Sequence, residues 1–286
     1  MYTKPITQQN PSAIIFCLDC STSMQELVEF NERVMSKASV VSMITNIMID
    51  ELIIRSSRHN RLRHYYDVAV IGYHGSSIEN LLGGERIEFT PITKFDELSP
   101  KQRDYCFKQH LSNGDVTYAN FITHDWIEPI SEGKTPMYEA LVEVYRLVDE
   151  WCCMHNHRNS FPPIIFHITD GNATDASTAE LLSIAEEIKQ THTNDGNTLL
   201  VNVHIGSGEE YCSRGALFPD AIDRHSASEQ MATLFAMSSE APKSLVHQLP
   251  TINVTSGEQP PRLVAYNISP CELLNIVNIG SESIRE

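Results

Sequence analysis

The chain has 286 residues, of which 41% are hydrophobic and 20% charged. That balance excludes a disordered, collagen-like or coiled-coil protein and allows one large domain or two small ones. Lys and Arg total 21 against 37 Asp and Glu, a formal charge of −16. Such a surface does not generally attract phosphate backbones or anionic lipid, so neither nucleic acid nor a membrane is expected as a partner. It suits a protein that binds cations, or one that simply stays soluble.

The opening MYTKPITQQNPS lacks the apolar core of a secretory signal, and no window is long enough to cross a bilayer, so a cytoplasmic location is expected. Residues 1–11 read as an N-terminal arm. Ala13–Asp19 (AIIFCLD) is a short continuous apolar run, as in a strand buried on both faces. Phe30, Val34, Ala38, Val41, Met48 and Leu52 follow at helical spacing. Asp67–Tyr73 (DVAVIGY) is a second buried strand, ended by His74-Gly75, and Ile87–Thr90 reads as a short edge strand. Residues 91–134 show no sustained period and read as a loop-rich excursion with one helix opening at Ser99-Pro100.

The clearest helix starts at Thr135-Pro136, which supplies cap and first turn; Met137, Leu141, Val144, Val148 and Trp151 form its buried stripe. Pro163–Asp170 is a third buried strand. A helix over Ala179–Gln190, a fourth strand over Leu199–Ile205 and a helix over Ser228–Ser238 continue the pattern. Thr255–Pro261 reads as a linker, and Ser269-Pro270 opens a short final helix ending near Gly280. Strands separated by helices predict an α/β fold, an open and mostly parallel Rossmann-like central sheet with helices on both faces. The domain is expected over residues 12–240, with 241–286 a C-terminal extension packing on it or following it.

Ligands of open α/β sheets bind beyond the carboxyl ends of the strands, where the strand order reverses. Three segments are expected to converge there: Asp19-Cys20-Ser21-Thr22-Ser23, Gly133-Lys134-Thr135-Pro136 and Thr169-Asp170-Gly171. Together they carry carboxylates and hydroxyls, all oxygen donors, which select Mg2+, Mn2+ or Ca2+ over zinc or copper. Neutral hydroxyls leave most of a metal's charge uncompensated, so an acidic side chain from a partner protein is the expected completing ligand. This chemistry points to binding rather than turnover, and no enzyme activity is expected.

These residues resemble the metal-ion-dependent adhesion site of the von Willebrand factor type A family over about residues 12 to 240. Asp19, Ser21 and Ser23 match its DxSxS element, Thr135 within GKTPMYEAL its later threonine, and Asp170 within HITDG its later aspartate. The resemblance implies that the two serines and the threonine contact the metal directly and the aspartates act largely through water. The C-terminal RLVAYNISPCELLNIVNIGS resembles the ending of cytoplasmic, stand-alone bacterial members of the tellurium-resistance type. Those are associated with protein kinases and metal-dependent phosphatases in stress-response or conflict systems. Two rival readings are the recognition subunit of an AAA+ ATPase machine (chaperone or chelatase) and a metal-dependent phosphohydrolase.

Other motifs carry less. Asp19 resembles the haloacid-dehalogenase phosphatases only in itself, since the second Asp they need is Ser21 here, leaving no acid for a leaving group. Cys17 and Cys20 have CxxC spacing but lie in a strand-like run, and all seven cysteines are expected as reduced thiols. Gly83-Gly84 fits no nucleotide-binding pattern. His155 and His157 read as a solvated helix terminus, with a metal role as the alternative. Arg55, Arg58, Arg61 and Arg63, with His59 and His64, read as a solvated helix end and loop, or else as a dock for an acidic partner.

Overall fold

The computed structural model describes residues 1–30, 33–98, 100–110, 116–171, 173–206, 216–221, 228–246 and 260–266. Strand β1 (Ser12–Asp19) is buried along its whole length. Ile14, Phe16 and Leu18 pack on one face of the sheet and Ile15 and Cys17 on the other, the alternation a strand imposes.

A single 3-10 turn, Thr22–Gln25, leads into an antiparallel hairpin of β2 (Leu27–Phe30) and β3 (Arg33–Ser36). Helix α1 (Lys37–Ser56) starts only there, capped by Ser36, whose Oγ accepts from Ser39 N at 3.2 Å. The helix expected from Phe30 onward is therefore corrected. Val28 and Phe30 are buried while Leu27 and Glu29 are exposed, a strand period that happens to place Phe30 and Val34 four residues apart.

Strands β4 (Ser57–Arg58) and β5 (Arg61–Leu62) form a tight hairpin turned by His59 and Asn60, both at positive φ. Next come β6 (Tyr66–His74), β7 (Ser77–Asn80) and β8 (Thr90–Pro91). The edge strand expected at 87–90 is thus confined to the last of these. Strands β9 (Gln102–His110) and β10 (Val116–His124) pair as an antiparallel ribbon where a helix was expected. The base of the ribbon and the segment after it lie on α1. His124 N and Trp126 Nε1 each donate to Asp50 at 2.8 Å, and Asn46 exchanges bonds with the Ile127 backbone at 3.1 and 3.0 Å. These contacts explain why a helix buried on nearly every side carries an aspartate and an asparagine.

Helix α2 (Met137–Cys153), β11 (Ile164–Thr169), α3 (Thr178–Gln190), the hairpin β12 (His192–Thr193) and β13 (Gly196–Asn197), and β14 (Leu199–His204) follow. The described chain closes with β15 (Ala216–Leu217), α4 (Glu229–Met237), α5 (Lys243–Val246) and β16 (Val264–Tyr266). The central sheet runs β15-β16-β14-β11-β1-β6-β7, with β8 also on β6. Strands β16, β14, β11, β1 and β6 are parallel; β15, β7 and β8 are antiparallel. Helix α1 covers one face and α2, α3 and α4 the other. This is the expected open, mostly parallel α/β sheet.

The sheet also takes β16, inserted between β14 and β15, from beyond residue 240. Residues 255–259 of the expected linker and the expected helix at 269–280 lie outside the described residues. Among the described residues no helix is long and apolar enough to cross a membrane.

Candidate metal site

Strand order places a reversal at β1: the chain passes through α1 to β6 on one side, then through α2 on the opposite face to β11 on the other. The crevice beyond the carboxyl ends of β1 and β11 is where such a sheet binds ligands. Asp19, the last residue of β1, and Asp170, the first after β11, both lie there.

Asp19 is 1% exposed. Its Oδ1 accepts from Ser21 N at 2.9 Å and its Oδ2 from Thr169 Oγ1 at 2.7 Å. Burial pushes its carboxyl up to about 6; the neighbouring Asp170 charge adds to the rise, and the bonds from Ser21 and Thr169 oppose it. The Ser21 and Ser23 hydroxyls face each other at 3.0 Å. Ser21 precedes the 3-10 turn without capping it through its side chain, so its hydroxyl is not occupied by an ordinary N-cap.

Thr135 is carried in by a loop stitched to the ends of β1 and β6. Thr22 N donates to Gly133 O at 3.0 Å, Glu132 N to Cys20 O at 2.8 Å and Gly75 N to Lys134 O at 2.8 Å. Gly133 has φ +69°, and a Cβ there would come within 2.5 Å of Gly75 Cα, so only glycine allows this approach. The helix-capping role expected of Thr135 is corrected: Pro136 is the N-cap residue and makes no side-chain cap. Asp175 satisfies the first amides of α2 instead, accepting from Tyr138 N at 3.2 Å and Glu139 N at 3.1 Å. Thr174 fixes the Thr135 backbone, accepting from Thr135 N at 3.0 Å and donating to Thr135 O.

Asp170 is buried, and its two oxygens differ. Oδ2 lies 3.3 Å from Lys37 Nζ, whereas Oδ1 is buried with no hydrogen-bond partner among the described residues. Its backbone is held by His204 Nε2, donating to Asp170 O at 3.1 Å. No group of three or more His, Cys, Asp or Glu side chains able to hold a metal occurs among the described residues. A cation at this edge would rely on two carboxylates, hydroxyls and water. The orphaned Oδ1 and the raised Asp19 fit that demand, since each marks negative charge the protein leaves short of compensation.

Sequence reasoning placed Thr169 at this edge without giving it a role, and it missed Asp175 and Lys37. Thr169 sits beside Asp170 in HITDG, where its hydroxyl steadies Asp19. Lys37 has a signal of its own: a cation in the first turn of a helix opposes the helix dipole and so needs an explanation elsewhere.

A buried polar chain lies beneath the site. The Tyr73 hydroxyl lies 2.9 Å from His167 Nε2, and His167 Nδ1 lies 2.7 Å from Asn202 Oδ1. Asn202 Nδ2 donates to Ser238 Oγ at 2.8 Å. Asn202 thus spends its amide group on Ser238 and accepts the proton of His167 Nδ1, leaving Nε2 to accept from Tyr73. Burial drops His167 to about 4, so it is neutral at pH 7.

The remaining motifs resolve as follows. Cys17 and Cys20 are buried, form no disulfide, and have thiols that burial pushes up, Cys20 to about 12; neither suits redox chemistry. His155 is exposed, but His157 is buried and stacks on Trp151 at 4.1 Å, which corrects its reading as solvated. The arginine patch is divided: Arg55 pairs with Glu51 at 2.7 Å, Arg58 lies over the Tyr65 ring, and His64 turns to Asp67 at 2.6 Å.

No protein-family model matches this sequence, and no curated protein matches it. Among solved structures, it is similar to a von Willebrand factor type A protein from Catenulispora acidiphila, with 13% identity and a TM-score of 0.48 over 96% of this chain. The chain spans only 43% of that protein's length. It is also similar to an uncharacterized membrane-spanning protein from Vibrio fischeri, with 13% identity and a TM-score of 0.29, covering 70% of this chain and 72% of the other.

Proposed function

We propose that this chain is a von Willebrand factor type A-like binding module in which Asp19, Ser21, Ser23, Thr135 and Asp170 hold Mg2+, with Mn2+ or Ca2+ as substitutes. A carboxylate of a protein partner completes the shell. The observation that carries this reading is the pair of buried aspartates at the reversal point of the sheet: Asp19 is pushed up to about 6, and Asp170 keeps an unpartnered Oδ1. Three hydroxyl residues, Ser21, Ser23 and Thr135, stand at the same edge; Ser21 precedes the 3-10 turn without capping it, Ser23 lies within that turn, and Thr135 precedes the N-cap residue of α2. A divalent ion there supplies charge compensation and a Lewis-acidic point for an incoming anion.

We read the site as one for binding rather than catalysis, because its hydroxyls and carboxylates are oxygen donors suited to holding a hard cation. Within this reading, a cytoplasmic role beside a protein kinase and a metal-dependent phosphatase rests on RLVAYNISPCELLNIVNIGS, most of which lies beyond Tyr266, the last described residue. The test is a pull-down from native extract with wild type and folded Asp19→Ala, each in Mg2+ and in EDTA. A partner held only by wild type in Mg2+ is the expected result. A partner held equally under all four conditions overturns the proposal. Metal-dependent turnover of phosphate esters, lost in Asp170→Ala, would replace it with a hydrolase.

A further inference from the structure

The first residue of α1 is a lysine buried to 3% exposure. Its Nζ lies 2.8 Å from Glu26 Oε2 and 3.3 Å from Asp170 Oδ2. Its amide donates to Glu26 O at 2.9 Å, which closes the base of the β2–β3 hairpin. The hairpin is thus a detour between Ser23 and α1 that returns the chain with an ammonium aimed at the candidate site.

A buried ammonium costs several kcal/mol in lost hydration unless carboxylates face it. Lys37 meets that cost with one exposed carboxylate, Glu26, and one buried carboxylate, Asp170. Asp170 is therefore divided, with Oδ2 committed to Lys37 and Oδ1 open. Asp19, Asp170 and Glu26 carry three negative charges at this edge and Lys37 one positive charge. A divalent cation arriving there meets a like charge already paired with one of its ligands.

Resting on the metal-site reading above, we infer that Lys37 is a built-in cation that competes with the divalent ion for Asp170. It steadies the metal-empty form and weakens metal binding. The ion is then held firmly only when an anionic partner adds the missing negative charge. Metal and partner bind cooperatively for that reason, because each raises the other's affinity by compensating the charge it brings.

The experiment measures Mn2+ binding to the full chain by electron paramagnetic resonance of the free ion. Wild type, Lys37→Met, Lys37→Gln and Lys37→Arg are compared after circular dichroism has checked folding. Removal of the positive charge is expected to tighten Mn2+ about tenfold or more, since repulsion at reduced local dielectric is strong. Lys37→Gln should follow Lys37→Met, and Lys37→Arg should stay near wild type. A wild type too weak to measure beside a Lys37→Gln protein that binds gives the same support. Equal affinity in wild type and the neutral variants, or weaker binding in them, overturns the role of Lys37 while leaving the metal site standing. No binding by any folded variant overturns the metal site itself. If Lys37→Met does not fold, the Lys37→Gln and Lys37→Arg pair decides alone.

Discussion

Both ends of the central sheet bury aspartate, and they treat it in opposite ways. Asp67, near the start of β6, is 6% exposed, close to the 8% of Asp170 at the other end. Its Oδ1 is 2.6 Å from His64 Nε2, its Oδ2 accepts from Trp151 Nε1 at 2.9 Å, and His157 Nε2 lies 3.9 Å away. Burial alone would raise the Asp67 carboxyl, but the bonds from His64 and Trp151 and the two imidazoles outweigh it and hold it below the usual carboxylate range. At the carboxyl edge burial wins: Asp19 rises to about 6, and Asp170 Oδ1 has no partner among the described residues. Burial therefore does not separate a structural carboxylate from a binding one. What separates them is whether the protein's own partners outweigh burial: those of Asp67 do, the bonds from Ser21 and Thr169 to Asp19 do not, and Asp170 leaves Oδ1 unmet among the described residues.

The largest expected break in this comparison is Asp67→Ala. It strands the Trp151 N–H and removes the partner of two histidines, so chemical denaturation should show a loss of about 3 kcal/mol. The Mg2+ response should be unchanged. The pH dependence has a definite sign. The Asp67 value is lowered in the folded state, so its stabilisation is present above the ordinary carboxylate value and lost as pH falls through the folded value. The hydrogen bond to Asp67 raises His64, so its share is present below the ordinary imidazole value and lost as pH rises through the folded one. Urea melts at a series of pH values should show both limbs flatten in Asp67→Asn.

Gly133→Ala should cost about 2 kcal/mol through its positive φ and the contact with Gly75, and should weaken Mg2+ binding by displacing the Thr135 loop. Asp175→Ala removes the cap of α2 and should cost about 1 kcal/mol. Thr135→Val is the smallest in stability, about 0.5 kcal/mol or less, because its hydroxyl caps no helix. In calorimetry it should nonetheless abolish Mg2+ binding. If it instead costs several kcal/mol of stability and leaves metal binding intact, the two ends of the sheet do not differ as described.

The elements that build the sheet were legible because β1, β6, β11 and β14 are continuous apolar runs ended by turn residues. The α2 stripe was equally plain. The β2–β3 hairpin and the β9–β10 ribbon were not. Each is a two-stranded excursion outside the central sheet, with polar residues among its apolar ones, and Phe30 and Val34 imitate a helical step. Asp19, Ser21, Ser23, Thr135 and Asp170 could be read as a set because motif and strand end coincide. The Lys37–Asp170 pair joins residues 133 positions apart, so no local pattern announces it. The capping of α2 by Asp175 was hidden for the same reason, since Thr135-Pro136 is a complete local signal that the fold does not use.

The most direct test is thermal unfolding of wild type and Asp170→Asn across a Mg2+ titration. A cation held only by the folded state should stabilise wild type by about 2.7 kcal/mol at a hundredfold excess over its dissociation constant. Asp170→Asn should not respond. If both gain stability equally, or if Mg2+ stabilises neither wild type nor Lys37→Gln, the carboxyl edge is not a metal site and its under-compensated aspartates need another explanation.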